Sequence, residues 1–140
     1  MQSMGYNKKR HRDIAASNDP VAMPEELTFD PSTGLIRVRA WGDETILDWT
    51  ESKREIMRLH KEYNASRLFV DAREMVAAPS VLDILDFGDS WPEDVRAAIV
   101  IGKDTPEDVL FLDATATYRH KPMRIFYDEK EAMKWLQGPA

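Results

Sequence analysis

The sequence predicts an α/β fold: a single mixed, mostly parallel five-stranded sheet that opens with an N-terminal β-hairpin and carries about four flanking helices. Three observations carry this. Leu68 to Val70 and Ala97 to Ile101 are continuous apolar runs, the mark of strands covered on both faces in a parallel sheet. Helical patterns fall between these runs, the alternation that builds parallel crossovers. Near the start, Asp30-Pro31-Ser32-Thr33-Gly34 separates two short apolar stretches; proline presets one turn angle and glycine permits a positive one.

Taken in order, Leu27 to Phe29 and Leu35 to Trp41 form the hairpin. Ile36, Val38 and Ala40 alternate with Arg37 and Arg39, so one face meets the core and the other is partly wet, which fits an edge strand. From Glu44 to Tyr63, Ile46, Trp49, Ile56, Leu59 and Tyr63 recur at helical spacing and predict a long amphipathic helix. The run at Leu68 ends in Asp71, a connection follows, and a helical pattern spans Ser80 to Gly88. After the Ala97 run come a helix over Pro106 to Tyr118, a strand over Met123 to Tyr127 and a helix over Glu129 to Gln137. Start signals support three helices: Ser80 with Asp83, Thr105 with Pro106 and Asp108, and Asp128 with Glu131. Gly138-Pro139 supplies the final stop.

One domain is expected over residues 25–138, since 140 residues suit a single core. Residues 1–24 read as a flexible basic tail, with too few large apolar side chains to offset the entropy of ordering. That tail holds four basic and two acidic side chains, so with a net charge of -6 overall the remainder stands near -8. An acidic body repels nucleic acid and anionic surfaces, so neither is an expected partner. The chain has 0 cysteines, which removes disulfide frameworks and thiolate metal sites. No apolar run approaches bilayer length and no signal-peptide pattern opens the chain, so a cytoplasmic location is expected.

Chemistry-bearing motifs are sparse. His11, His60 and His120 are scattered without metal-ligand spacing, and no metal or cofactor is expected. His11-Arg12-Asp13 and Asp86-Phe87-Gly88 resemble kinase fragments, but no glycine-rich loop or strand lysine precedes them. Gly102-Lys103-Asp104-Thr105 lacks the upstream glycine of a phosphate loop. No acid is paired with a base, so no catalytic residue is assigned and a non-enzymatic role is expected.

The strand, loop and helix from Arg67 to Gly88 remain. In open α/β sheets the working loops lie beyond the carboxyl ends of strands. Ser80 at a helix entrance has two readings: its oxygen caps a first-turn N–H, with Asp83 completing a capping box, or it accepts a phosphate at the positive helix end. Asp71 and Trp91 are candidates for a partner surface. Asp71 is otherwise a loop-capping carboxylate, and Trp91 otherwise covers the core edge. Leu82, Leu85 and Phe87 line an apolar ligand pocket or simply fill the core.

The opening hairpin, Leu68-Phe69-Val70-Asp71 with its loop to a short helix, Arg96 to Gly102, and Met123 to Asp128 closing on Glu131-Ala132 and Trp135-Leu136 together resemble the STAS domains. Within them the chain is similar to the bacterial SpoIIAA-like group, related to anti-sigma factor antagonists and Sec14-like in fold. The resemblance spans Glu25 to Leu136. It implies a regulatory module that binds a protein partner and is phosphorylated on a serine in an Asp-Ser-Ser-Gly stretch. Here that stretch reads Pro79-Ser80-Val81-Leu82, keeping one serine and neither the acid nor the glycine. The Sec14-like side of the resemblance implies the alternative, a small apolar ligand or lipid held between helices and sheet.

Overall fold

A computed structural model of the chain describes residues 25–139 and, as backbone, the strand Tyr6–Arg10. Six strands lie in one sheet in sequential order: β1 (Tyr6–Arg10), β2 (Glu25–Asp30), β3 (Leu35–Asp43), β4 (Arg67–Ala77), β5 (Arg96–Ile101) and β6 (Met123–Phe126). The first three pair antiparallel and the last four parallel. The five expected strands are all present, and β1 adds a sixth. It falls inside the segment read as a flexible tail, whose remaining residues lie outside those described. Pairing with β1 satisfies the backbone groups on the open edge of β2, a gain that side-chain composition does not report.

Four helices follow the expected positions: α1 (Ile46–Tyr63), α2 (Val81–Asp89), α3 (Leu110–Tyr118), preceded by a 3₁₀ turn over Glu107–Val109, and α4 (Glu129–Gln137). The first three cover one face of the sheet, where Trp49, Ile56 and Leu59 of α1, Ile84 of α2, and Leu112 and Ala116 of α3 close over Ile36, Leu68, Ala97 and Ile99. Successive crossovers of one hand, running in one direction, deliver their helices to one side. Among the described residues α4 alone covers the other face, packing Ala132 and Leu136 on Phe69, Ala98 and Val100.

This asymmetry corrects the edge position assigned to Leu35–Trp41. β3 sits inside the sheet between β2 and β4, and Arg37 and Arg39 are exposed because no helix among the described residues covers that part of the second face. A second correction concerns Asp71. β4 does not end there but runs on to Ala77, because β3 itself extends to Asp43 and supplies the ladder. Thr105 is no helix cap either. Its buried hydroxyl accepts from the Gly102 N–H at 3.0 Å and donates to the Ala72 carbonyl at 2.9 Å, tying the β5 exit to β4.

Candidate functional site

The segment leaving β4 turns through Ala78 and buried Pro79 and enters α2 at Ser80. Ser80 is extended (φ -64°, ψ 158°), and its Oγ accepts the Asp83 N–H at 3.2 Å, which is half of the expected capping box. The residue is exposed, so its hydroxyl is reachable at the positive end of the helix while the inner face, at Ile84 and Gly88, is sealed. Gly88 is required for this seat. A Cβ there would stand 3.2 Å from the Cβ of Thr115, so its absence lets α2 and α3 approach closely.

The other candidates separate. Trp91 does not face a partner: it is 1% exposed, and its indole N–H donates to the Val95 carbonyl at 2.8 Å. The loop after α2 folds this ring down as a plug, with its own chain supplying the acceptor that a buried indole needs. Asp71 lies mid-strand on the opposite face, about 20 Å along β4 from Ala77 at strand rise. Arg73, two residues on and on the same face, grips it with Nε and Nη2 at 2.9 and 2.8 Å and also reaches Glu129 at 3.2 Å. The Arg73 hydrogen bonds hold the Asp71 carboxyl below the ordinary carboxylate range.

The three pocket candidates also part. Leu82 is 74% exposed and points to solvent, because in a helix packed through Ile84 and Gly88 it falls on the far side. Leu85 is half-buried in the groove toward α3. Only Phe87 lines the interior cavity, a space of about 70 Å³ between the helices and the sheet, walled by Val38, Ile56, Leu68, Ile99 and Leu112. Phe87 bridges Trp49 and Trp91, with ring centroids 5.3 and 5.8 Å away.

The cavity wall also holds groups that the sequence did not single out. Glu25 and Glu44 are 4% and 3% exposed, and Lys53 places its ammonium 2.9 Å from the Ser90 carbonyl at the end of α2. Burial, with the charge of Lys121, pushes the Lys53 ammonium down from its ordinary pKa. Glu25 opens β2, Glu44 precedes α1 and Lys53 lies within it, and no spacing marks them as cavity lining.

His60 serves structure. Its Nδ1 lies 2.8 Å from the Ala65 carbonyl and its Nε2 3.0 Å from Asp94 Oδ2. Both neighbours only accept, so the doubly protonated ring suits them best. The bond to Ala65 raises its pKa, with the Asp94 carboxylate adding to it and burial opposing. Among the described residues no cluster of His, Asp or Glu could hold a metal ion, and no helix is long and apolar enough to cross a membrane.

No family profile matches the chain, and no curated protein matches it in sequence. Among solved structures it is similar to an uncharacterized protein from the DUF3478 family with a SpoIIAA-like fold from Shewanella loihica. The two share 16% sequence identity at a TM-score of 0.49, over 97% of this chain and 98% of that one.

Proposed function

We propose that the chain is a non-enzymatic, cytoplasmic regulatory module that docks a protein through α2 and is switched by phosphorylation of Ser80. The observation that carries this is an exposed hydroxyl at the entrance of a helix whose inner face is closed. A phosphate there adds about 1.5 to 2 negative charges beside free first-turn N–H groups, so it changes the surface without disturbing the core.

Two experiments test the reading. A photo-crosslinking residue at position 80, and another at Asp71 on the opposite face, are introduced into the full chain in its native cell. Capture at position 80 alone, followed by reconstitution of the complex from purified components, is expected; failure of capture at position 80 overturns docking through α2. Intact-mass measurement on native protein addresses the switch separately. Absence of phosphate under growth and stress alike removes Ser80 as its acceptor.

A second reading, a small apolar ligand between helices and sheet, is supported by the interior cavity lined by Phe87. At about 70 Å³ that space is smaller than the roughly 150 Å³ that accommodates benzene, so a lipid would require α2 to move outward. Native mass spectrometry of gently purified protein distinguishes the readings: a reproducible small-molecule adduct favours this one.

A further inference from the structure

We infer that the groove between α2 and α3 is the seat of a basic amphipathic helix from a partner protein. This deepens the docking reading above and rests on it. The groove, about 350 Å³, is lined by Leu85, Asp86 and Asp89 from α2 and by Ala114, Tyr118 and Arg119 from the α3 side. Leu82 lies three and four residues before Leu85 and Asp86, and Phe111 stands in the same relation to Ala114 and Thr115. Both therefore extend the two groove walls. Leu82, Phe111 and Tyr118 are 74%, 42% and 76% exposed, an apolar concentration at odds with a purely solvated face.

Charge selects the occupant. Residues 81–89 and 107–118 contain Asp83, Asp86, Asp89, Glu107, Asp108 and Asp113 and no lysine or arginine. The nearest cation in the sequence, Arg119, is already held by Asp89 at 2.6 Å, which closes one end of the groove. Asp86 has no ion pair among the described residues. A complementary surface is therefore basic on its flanks and apolar along one stripe.

Shape selects the helix. Two neighbouring helices whose exposed residues repeat at i, i+3, i+4 and i+7 present ridges into which a third helix packs. Each wall spans nine helical residues, about 13 Å, which matches roughly two and a half turns of a partner. Asp113 turns away to accept the Ile125 N–H beside Arg124. The other five acids, with Asp86 and Asp89 in the groove itself, repel anionic membrane and nucleic acid, and a second copy brought to this face in a two-fold contact would set those acids against their own counterparts.

The test uses the full chain and three labelled peptides of about 18 residues, or five turns. One carries leucine along one stripe and lysine elsewhere, the second scrambles that composition, and the third replaces lysine by glutamate. Fluorescence anisotropy is expected to show the first binding at least about tenfold tighter than either control, and more tightly at low salt. Amide shifts of the protein should concentrate in residues 82–89 and 111–119. Asp86→Lys and Leu82→Ser, both at exposed positions, should each weaken binding severalfold without moving the unfolding midpoint. Equal binding of the scrambled peptide, shifts confined to other surfaces, or self-association through this face overturns the inference. If no peptide binds while the position-80 crosslinker still captures its partner, the groove assignment falls and docking through α2 stands; if both fail, both fall.

Discussion

α1 and α2 cross over onto the same face of the sheet, yet they are fastened in different ways. α1 is held at both ends. The Asp48 N–H donates to Thr45 Oγ1 at 3.2 Å, the Thr45 N–H donates to Asp48 Oδ2 at 2.9 Å, and the far end carries His60 bridging to Ala65 and Asp94. Along its outer side Arg58 joins Glu55 and Glu62 at 2.7 and 2.6 Å. α2 has one side-chain bond at its entrance and no basic residue of its own in its last turn. Its exit is tied by Ser90 Oγ, which donates to the Phe87 carbonyl at 3.2 Å, and by Lys53 of α1, which donates to the Ser90 carbonyl at 2.9 Å, while Arg119 meets the Asp89 that opposes the helix dipole. Between its ends α2 is held by its inner stripe at Ile84 and Gly88. A helix packed along its inner stripe, with its end ties at Ser80 and Ser90, keeps Leu82 and Asp86 on its other face exposed, and for this reason the docking surface is proposed on α2 and not on the longer α1, whose outer side is braced by Arg58.

The difference is broken most directly at Ile84, which is fully buried under α2. Ile84→Ala is expected to cost about 2–5 kcal/mol, read as a fall in denaturant midpoint, through lost burial and the cavity left behind. A cost near 1 kcal/mol would mean that the ends of α2 hold it after all. The paired comparison of the two entrances comes next. Asp48→Ala removes the buried carboxylate that accepts from both the N–H and the hydroxyl of Thr45, for about 1–2 kcal/mol, whereas Ser80→Ala removes one exposed bond for about 0.5–1 kcal/mol. Equal losses at the two positions would erase the distinction between a structural entrance and one available for modification.

How far the sequence reached depends on where each signal resides. The hairpin, β5 and α4 were legible because turn residues, a continuous apolar run and the Asp128 cap lie inside the segments themselves; the Glu131 N–H does donate to Asp128 at 3.0 Å. Thr45-x-x-Asp48 is an equally local signal that marks the start of α1. The continuation of β4 was not legible. Ala72, Arg73 and Glu74 read as a connection because Ala72 is small and the side chains of Arg73 and Glu74 meet water, and what makes them a strand is the extension of β3 beside them. The candidate site failed in the same manner. Whether Leu82, Leu85 or Phe87 faces inward is set by the rotation of a nine-residue helix against α3, where Gly88 meets Thr115. Trp91 required knowing that its own loop returns a carbonyl to its ring.

At the far end of α1, the anchoring by His60 should depend on pH. Its pKa is raised in the folded protein, so the stabilisation is fully present below the ordinary imidazole value, near about 6.5, and is lost as pH rises through the folded value. Unfolding midpoints of the native chain minus those of His60→Gln should therefore shrink between pH 5.5 and pH 8. Because Asp94 is largely exposed, the change should stay below about 1 kcal/mol. A difference that grows with pH would show that the neutral ring is the form the fold prefers, and α1 would lose one of its two anchors.

The smallest effect on stability is expected at Leu82, and it separates the faces of α2 most cleanly. Leucine at 74% exposure has little area left to lose, so Leu82→Ser should alter the unfolding free energy by no more than about 0.5 kcal/mol, the ordinary range for surface substitutions. The same helix, two residues further on, is expected to lose several times that at Ile84. A side chain that is neutral for folding and yet required for retaining a bound helix has its purpose outside the chain. If Leu82→Ser instead destabilises the protein as Ile84→Ala does, Leu82 is packed against something within the molecule, and α2 has no free face to offer.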